Sequence, residues 1–239
     1  MRGDTKRLTD YSDGKLFLNL TDQLSRAMLQ VARAAEVAEL TGEKSDLAVS
    51  KIVAEAAMQL CDSYGKALRL HAGVERPHME AVSVSSLLHE TEYSLRPYAE
   101  KYGVQLVLAP MRSMEPLVCD PEITRSALVS LGQVFVEAAA ESGKGSTVLL
   151  DAYKTRHGIV AGLYGECSDS LNAIGLRRAR RLYGRANQPL MSLASGPATG
   201  VFIADNLLKT MSTKLHVARH NNLSGLAATL PHCSQMQMV

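Results

Sequence analysis

The chain has 239 residues, enough for one or two domains with a sizeable core, and its 46% apolar and 21% charged residues are those of a globular protein, not of a fibrous or low-complexity chain. Its 26 Lys and Arg against 24 Asp and Glu leave a net charge of +2, too small to imply polyanion binding, although the basic residues are unevenly placed. Cys61, Cys119, Cys167 and Cys233 lie far apart with no C-x-x-C pair, no apolar run nears the roughly 20 residues of a membrane span, and the polar start MRGDTKRLTDYSDGK lacks a signal-peptide core; the expectation is a cytoplasmic protein with reduced thiols, no zinc site and no disulfide framework.

From Leu16 to Leu40 apolar side chains recur at Phe17, Leu20, Leu24, Ala27, Val31, Ala34 and Ala38, a spacing that puts them on one helical stripe. TGEKSD (41–46) supplies a Gly stop and a Ser or Asp cap, and a second stripe follows at Val49, Val53, Ala56, Leu60 and Ala67. The pair predicts an antiparallel helical hairpin. Two helices alone bury little, and the alanine-rich stripe favours close approach to a second hairpin, a four-helix bundle in a homodimer; packing on the chain's own C-terminal half is the alternative. HAGVERPHMEAVSV (71–84) loses the periodicity and contains a Pro, which separates a hairpin domain (16–75, after a 1–15 tail) from a second domain (81–232, before a 233–239 tail).

In the second domain SSLLHETEYSLRPYAEKYG (85–103) reads as a helix ending at Gly103, with a kink expected at Pro97. VQLVLAP (104–110) and PLVCD (116–120) have the alternation and β-branched content of strands, and PEITRSALVSLGQVFVEAAAESG (121–143) is a helix with Pro at its first turn. STVLLDAYKT (146–155) and GIVAGLYGE (158–166) form a hairpin-like strand pair, followed by the Arg-rich helical stretch LNAIGLRRARRLYGR (171–185). A glycine-spaced turn then opens a helix at Val201, and the strands KLHVARHN (214–221) and SGLAATLP (224–231) close the domain. The order predicts an α+β two-layer sandwich and not a doubly wound parallel sheet.

This order of elements resembles the bacterial sensor histidine kinases, in which a dimerisation and phosphotransfer hairpin precedes an ATP-binding domain shared with gyrase. Three stretches carry the resemblance: VSVSSLLHETEYSLRPYAEKYGVQLVL (82–108), CDPEITRSALVSLGQVFVEAA (119–139), and GPATGVFIADNLLKTMSTKLHV (196–217) with GLAATLP (225–231). The resemblance implies a phosphoacceptor His in a Ser-His-Glu-Leu context on the first hairpin helix. Thr21, Asp22, Gln23 and Leu24 stand there instead. A carboxylate cannot form the N–P bond of a phosphohistidine, and Gln23 cannot serve as the neighbouring acid or base. HETEY (His89–Tyr93) looks like a phosphoacceptor box, but its place in the order is the first helix of the ATPase-like domain, and an exposed helical His is the reading taken.

The family's asparagine-box helix carries two asparagines, the second holding Mg²⁺. Counted from Asp120, Pro121 and Glu122, those places hold Ser130 and Val134, and valine has no lone pair where Mg²⁺ needs oxygen. Glu137, one turn on, is a substitute carboxylate or a residue of a solvated face. The Asp that reads adenine in the family is matched by Leu163 or Tyr164, with Asp169 too far along. Gly196, Ala198 and Gly200 match the Gly-x-Gly-x-Gly turn, whose glycines permit close approach to a phosphate or serve only a tight entry into a helix.

The resemblance therefore implies a catalytically degenerate histidine-kinase-like signalling protein, a homodimer through its 16–70 hairpin that binds a receiver domain or sensor kinase. No cofactor is expected, and ATP with Mg²⁺ is disfavoured. Asp22 and the run Arg177, Arg178, Arg180, Arg181 and Arg185 are the candidate partner contacts, the arginines otherwise meeting a phosphate or lying on a solvated face. Nucleic acid is the least supported partner, since only Tyr183 interleaves the run. The rival readings are a divergent active kinase or histidine phosphotransferase using a different His, and a nucleotide-binding switch without transfer.

Overall fold

The computed structural model describes residues 45–110, 113–143, 146–165 and 198–233, together with Met28, Val31, Arg33, Glu36, Val37, Leu171, Leu176 and Arg177. Helix α1 (Ser45–His71) leads to strand β1 (Glu80–Val82), α2 (Val84–Lys101), β2 (Gln105–Leu108), β3 (Leu117–Cys119) and α3 (Pro121–Ser142). The hairpin β4 (Thr147–Thr155) and β5 (Gly158–Gly165), helix α4 (Ala198–Thr210), and the hairpin β6 (Leu215–His220) and β7 (Leu223–Leu230) follow. Of the first hairpin helix, the described residues Met28, Val31, Arg33, Glu36 and Val37 are all helical.

The architecture is the expected α+β one. A five-stranded sheet runs β2-β4-β5-β7-β6, with β2 parallel to β4 and the remaining pairs antiparallel. The parallel pair needs a crossover, which α3 supplies. Asp120 caps α3 by accepting the Ile123 N–H at 2.9 Å, Pro121 occupies the first turn where no N–H is needed, and Gly143 ends the helix at φ 128°. Asn221 and Asn222, both left-handed at φ 50° and 63°, form the tight turn between β6 and β7, a geometry that matches strand twist.

Alternation along the strands sorts the side chains. Val148, Leu150, Ile159, Ala161, Leu163, Leu226 and Ala228 join the helices in one main core, with Phe135, Leu131 and Ile203 among its fully buried members. Val160, Tyr164, Ala218 and Ala227 form a second, smaller buried cluster, joined by Leu149, Tyr153 and Leu223. Helix α1 packs on α2, α3 and α4, and its Tyr64, Ala67 and Leu70 belong to the main core. The second helix of the hairpin thus packs on the chain's own C-terminal half.

Two local expectations are revised. The stretch 71–84 contains β1, whose three residues pair antiparallel with β3 in a separate two-stranded sheet, so PLVCD is a strand outside the main sheet. Helix α4 begins at Ala198 and not at Val201, because its first turn is buried against α3. Pro97 lies inside a helix that continues to Lys101. The carbonyl it leaves without an N–H is that of Tyr93, whose side chain is 76% exposed, so water can reach it.

Candidate functional site

The asparagine-box positions Ser130 and Val134 lie on the face of α3 that meets the first turn of α4, and both are buried, at 2% and 4% exposure. Gly200 sits opposite. A Cβ there would lie 2.4 Å from Val134 Cγ2 and 2.7 Å from the Ser130 carbonyl oxygen. The two helices therefore touch directly where the resemblance puts the metal and phosphates, and only glycine allows that approach. Thr199 and Val201 flank the contact and are buried as well. The donor set does not fit a Mg²⁺–triphosphate: Val134 offers no oxygen, and the Ser130 carbonyl faces helix backbone. Ala198 and Gly200 are helical, while Gly196 lies outside the described residues.

The two candidates for the adenine-reading place point to opposite faces of β5. Leu163 enters the main core, paired across the sheet with Leu150 and Leu226, whereas Tyr164 enters the smaller cluster on the outer face. Both are fully buried.

Glu137 does not turn to the α3–α4 contact. The Tyr98 hydroxyl donates to Glu137 Oε1 at 2.7 Å, and Lys101 covers the neighbouring Tyr102 ring, 4.5 Å from its centroid. Burial raises the Glu137 carboxyl above its usual value of 4.5, the Tyr98 bond and Lys101 opposing it and Glu141 adding to it. Burial likewise lowers Lys101 and raises Tyr98. A raised carboxyl favours the protonated folded state, so its contribution is fully present below pH 4.5 and is lost as pH rises through the raised value. Glu137→Gln keeps the acceptor without the charge, and the variant is expected to be more stable than the parent at pH 7 with a flatter profile from pH 4 to 8 in thermal melts. Superimposable profiles would contradict this.

A groove of about 770 Å³ between α1, α2 and α3 is lined by Asp62, Lys66, Arg69, Glu122 and Arg125 among others. Lys66 pairs with Glu122, Arg69 with Glu75 at 2.5 Å, and Arg125 with Glu90 at 3.3 Å. His89 is exposed on α2 and lines a smaller adjoining recess of about 370 Å³ with Arg96 and Arg125. Arg177 is exposed and helical; Arg178, Arg180, Arg181 and Arg185, like Asp22 and Gln23, lie outside the described residues.

One cluster was not anticipated from the sequence. His220 Nε2 on β6 lies 2.7 Å from Asp151 Oδ2 on β4, although two strands separate them, roughly 14 Å in a flat sheet. The floor between them is small: Gly162 and Gly225 let β5 and β7 approach so closely that a Cβ on either would strike the neighbouring strand's backbone. The His220 ring stacks on Tyr153, centroids 4.5 Å apart and planes 9° from parallel, and the Tyr164 hydroxyl beside it is buried without a hydrogen-bond partner. STVLLDAYKT was read only as a strand; the curl that brings His220 to Asp151 required the register.

No protein-family model matches the chain, and no curated protein matches its sequence. Solved structures do. The histidine kinase AdeS of Acinetobacter baumannii is 8% identical, with a TM-score of 0.53 over 89% of this chain and 98% of that one. The histidine kinase ThkA, solved in complex with response regulator protein TrrA, is 10% identical with a TM-score of 0.57, covering 97% of this chain and 65% of that one. Full-length ShkA in complex with AMPPNP is 16% identical with a TM-score of 0.53, covering 96% of this chain and 47% of that one. At such identities the likeness is one of fold, and with the helices, mixed sheet and element order described above it makes this chain histidine-kinase-like in fold.

Proposed function

We propose that this chain is a signalling adaptor built on the histidine kinase fold, a homodimer through its 16–70 hairpin that binds a receiver domain or a sensor kinase without transferring phosphate itself. The observation that carries the reading is the direct contact of Gly200 with Val134 and Ser130, which puts hydrocarbon and helix backbone where the fold's nucleotide chemistry requires oxygen ligands and space. Asp22 in place of the phosphoacceptor His supports it from the sequence. A protein partner is further supported by the paired charges lining the groove between α1, α2 and α3, and by the ThkA structure, where a kinase of this fold holds a response regulator. A negative charge at Asp22 either imitates part of a phosphorylated state or repels an acidic receiver pocket.

Incubation of the full chain with labelled ATP and Mg²⁺ is expected to leave no acid-labile label, and millimolar ATP or ADP to leave the melting temperature unchanged. Binding at 100 times Kd would add about 2.7 kcal/mol of stability, so a bound nucleotide could not escape the second measurement. Acid-labile label returns the active-kinase or phosphotransferase reading. A thermal shift without label returns the nucleotide-binding switch.

A further inference from the structure

We infer that α1 is two pieces with different duties: residues 61–71 are a fixed layer of the domain, and residues 45–60 are a strap over the α3–α4 contact that lifts as a local unit. The second piece is anchored. Ser63, Tyr64, Ala67 and Leu70 are each under a tenth exposed, the last three lie in the main core, and Lys66 is paired with Glu122 on α3. The first piece is held differently. Among its described residues Ser50 and Val53 are buried, but Ile52, Ala56 and Leu60 are only partly so, and Val49 and Met58 are 41% and 63% exposed.

What the strap lies near is polar. Ser130, Gln133, Thr199 and Asn206 on α3 and α4 are all under a tenth exposed. The Gln133 amide donates to the Ala56 carbonyl and to Gln59 Oε1, each at 3.4 Å, near the limit of a hydrogen bond, and the Asn206 carbonyl oxygen is buried without a partner. The apolar cover of this half comes from Val53 with the only partly buried Ile52, Ala56 and Leu60, and weakly bonded amides regain full hydrogen bonds in water. Opening of this half of α1 therefore disrupts less of the main core than opening of the other half. Such an imbalance along one helix gives a low-energy local opening. The lifted state uncovers the Gln133 amide, and a partner that binds it selects that state from the ensemble. The inference goes beyond the adaptor reading.

Thiol labelling tests it. In the full chain carrying Gln133→Cys, the introduced thiol is reacted with a soluble maleimide and located by peptide mass spectrometry. Cys119, fully buried on β3 with its thiol raised by burial, reports global unfolding in the same sample. The introduced thiol is expected to label at least about tenfold faster than Cys119. Because the substitution itself removes seam hydrogen bonds, hydrogen exchange on the unaltered chain is the second measurement: amides of residues 50–60 are expected to exchange together, at least about tenfold faster than those of 64–70. Equal labelling of the two thiols, equal exchange in the two halves, or exchange that falls off gradually from residue 45 as in end fraying would each overturn the strap.

Discussion

Replacing His220 with alanine is expected to lower the unfolding free energy by about 3 kcal/mol, among the larger effects a single substitution on the outer sheet face can have. The reason is what remains. Asp151 keeps one hydrogen bond, from the Ala152 N–H to Oδ1 at 2.7 Å, but its Oδ2 would be left in a setting where the side chain is only 8% exposed. A carboxylate stranded there carries its desolvation cost alone. The reverse substitution, Asp151→Ala, is expected to cost less, since the imidazole stays stacked on Tyr153 and, at 26% exposure, its Nε2 can bond water instead. Chemical denaturation of both single variants and the double variant gives the coupling between the two groups. If His220→Ala lies within roughly 1 kcal/mol of the parent, the pair is a surface contact and the curl of the sheet does not depend on it.

Gly200→Ala separates two arguments that predict opposite signs. Helix propensity alone makes alanine at this position better than glycine by about 1 kcal/mol. Packing makes it worse: the new methyl would sit 2.4 Å from Val134 Cγ2 and 2.7 Å from the Ser130 carbonyl, and overpacking of this kind costs about 1–3 kcal/mol. A backbone carbonyl inside a helix cannot yield as a side chain can, so the upper part of that range applies and a net loss of about 2 kcal/mol is expected. Adding Val134→Ala removes one of the two obstacles and should recover part of the loss, giving a clear interaction energy in the cycle. A Gly200→Ala chain that melts higher than its parent would mean that α3 and α4 stand further apart than described, and with it the main support for an adaptor without nucleotide would go.

Much of this fold could be read from local chemistry. Asp-Pro-Glu before a long apolar run announced α3 because cap, first-turn proline and first-turn acid each act within a few residues. The four strands β4 to β7 correspond to the stretches 146–155, 158–166, 214–221 and 224–231 read as strands. What escaped depends on distant partners. Strand β1 has three residues and exists only through β3, some 40 positions on, so no local pattern marks it. Gly200 was read as part of a turn because Gly196, Ala198 and Gly200 match a Gly-x-Gly-x-Gly spacing, whereas its place inside α4 is set by the face of α3 against it. The site positions follow the same division: Ser130 and Val134 lie on the helix read from residues 121–143, but Glu137's engagement with Tyr98 needed the α2–α3 packing.

The shared core of α1 and the sheet domain changes what counts as a unit of folding. Tyr64, Ala67 and Leu70 sit in the same cluster as Val84, Leu87 and Leu88, so the boundary at residues 71–84 is a break in the chain's pattern and not in its packing. A polypeptide begun at residue 81 would expose the surface those three side chains cover and carry an apolar patch prone to self-association. The ATPase-like region borrows its outermost wall from α1, and residues 61–71 are expected to gain and lose structure with it in one cooperative step.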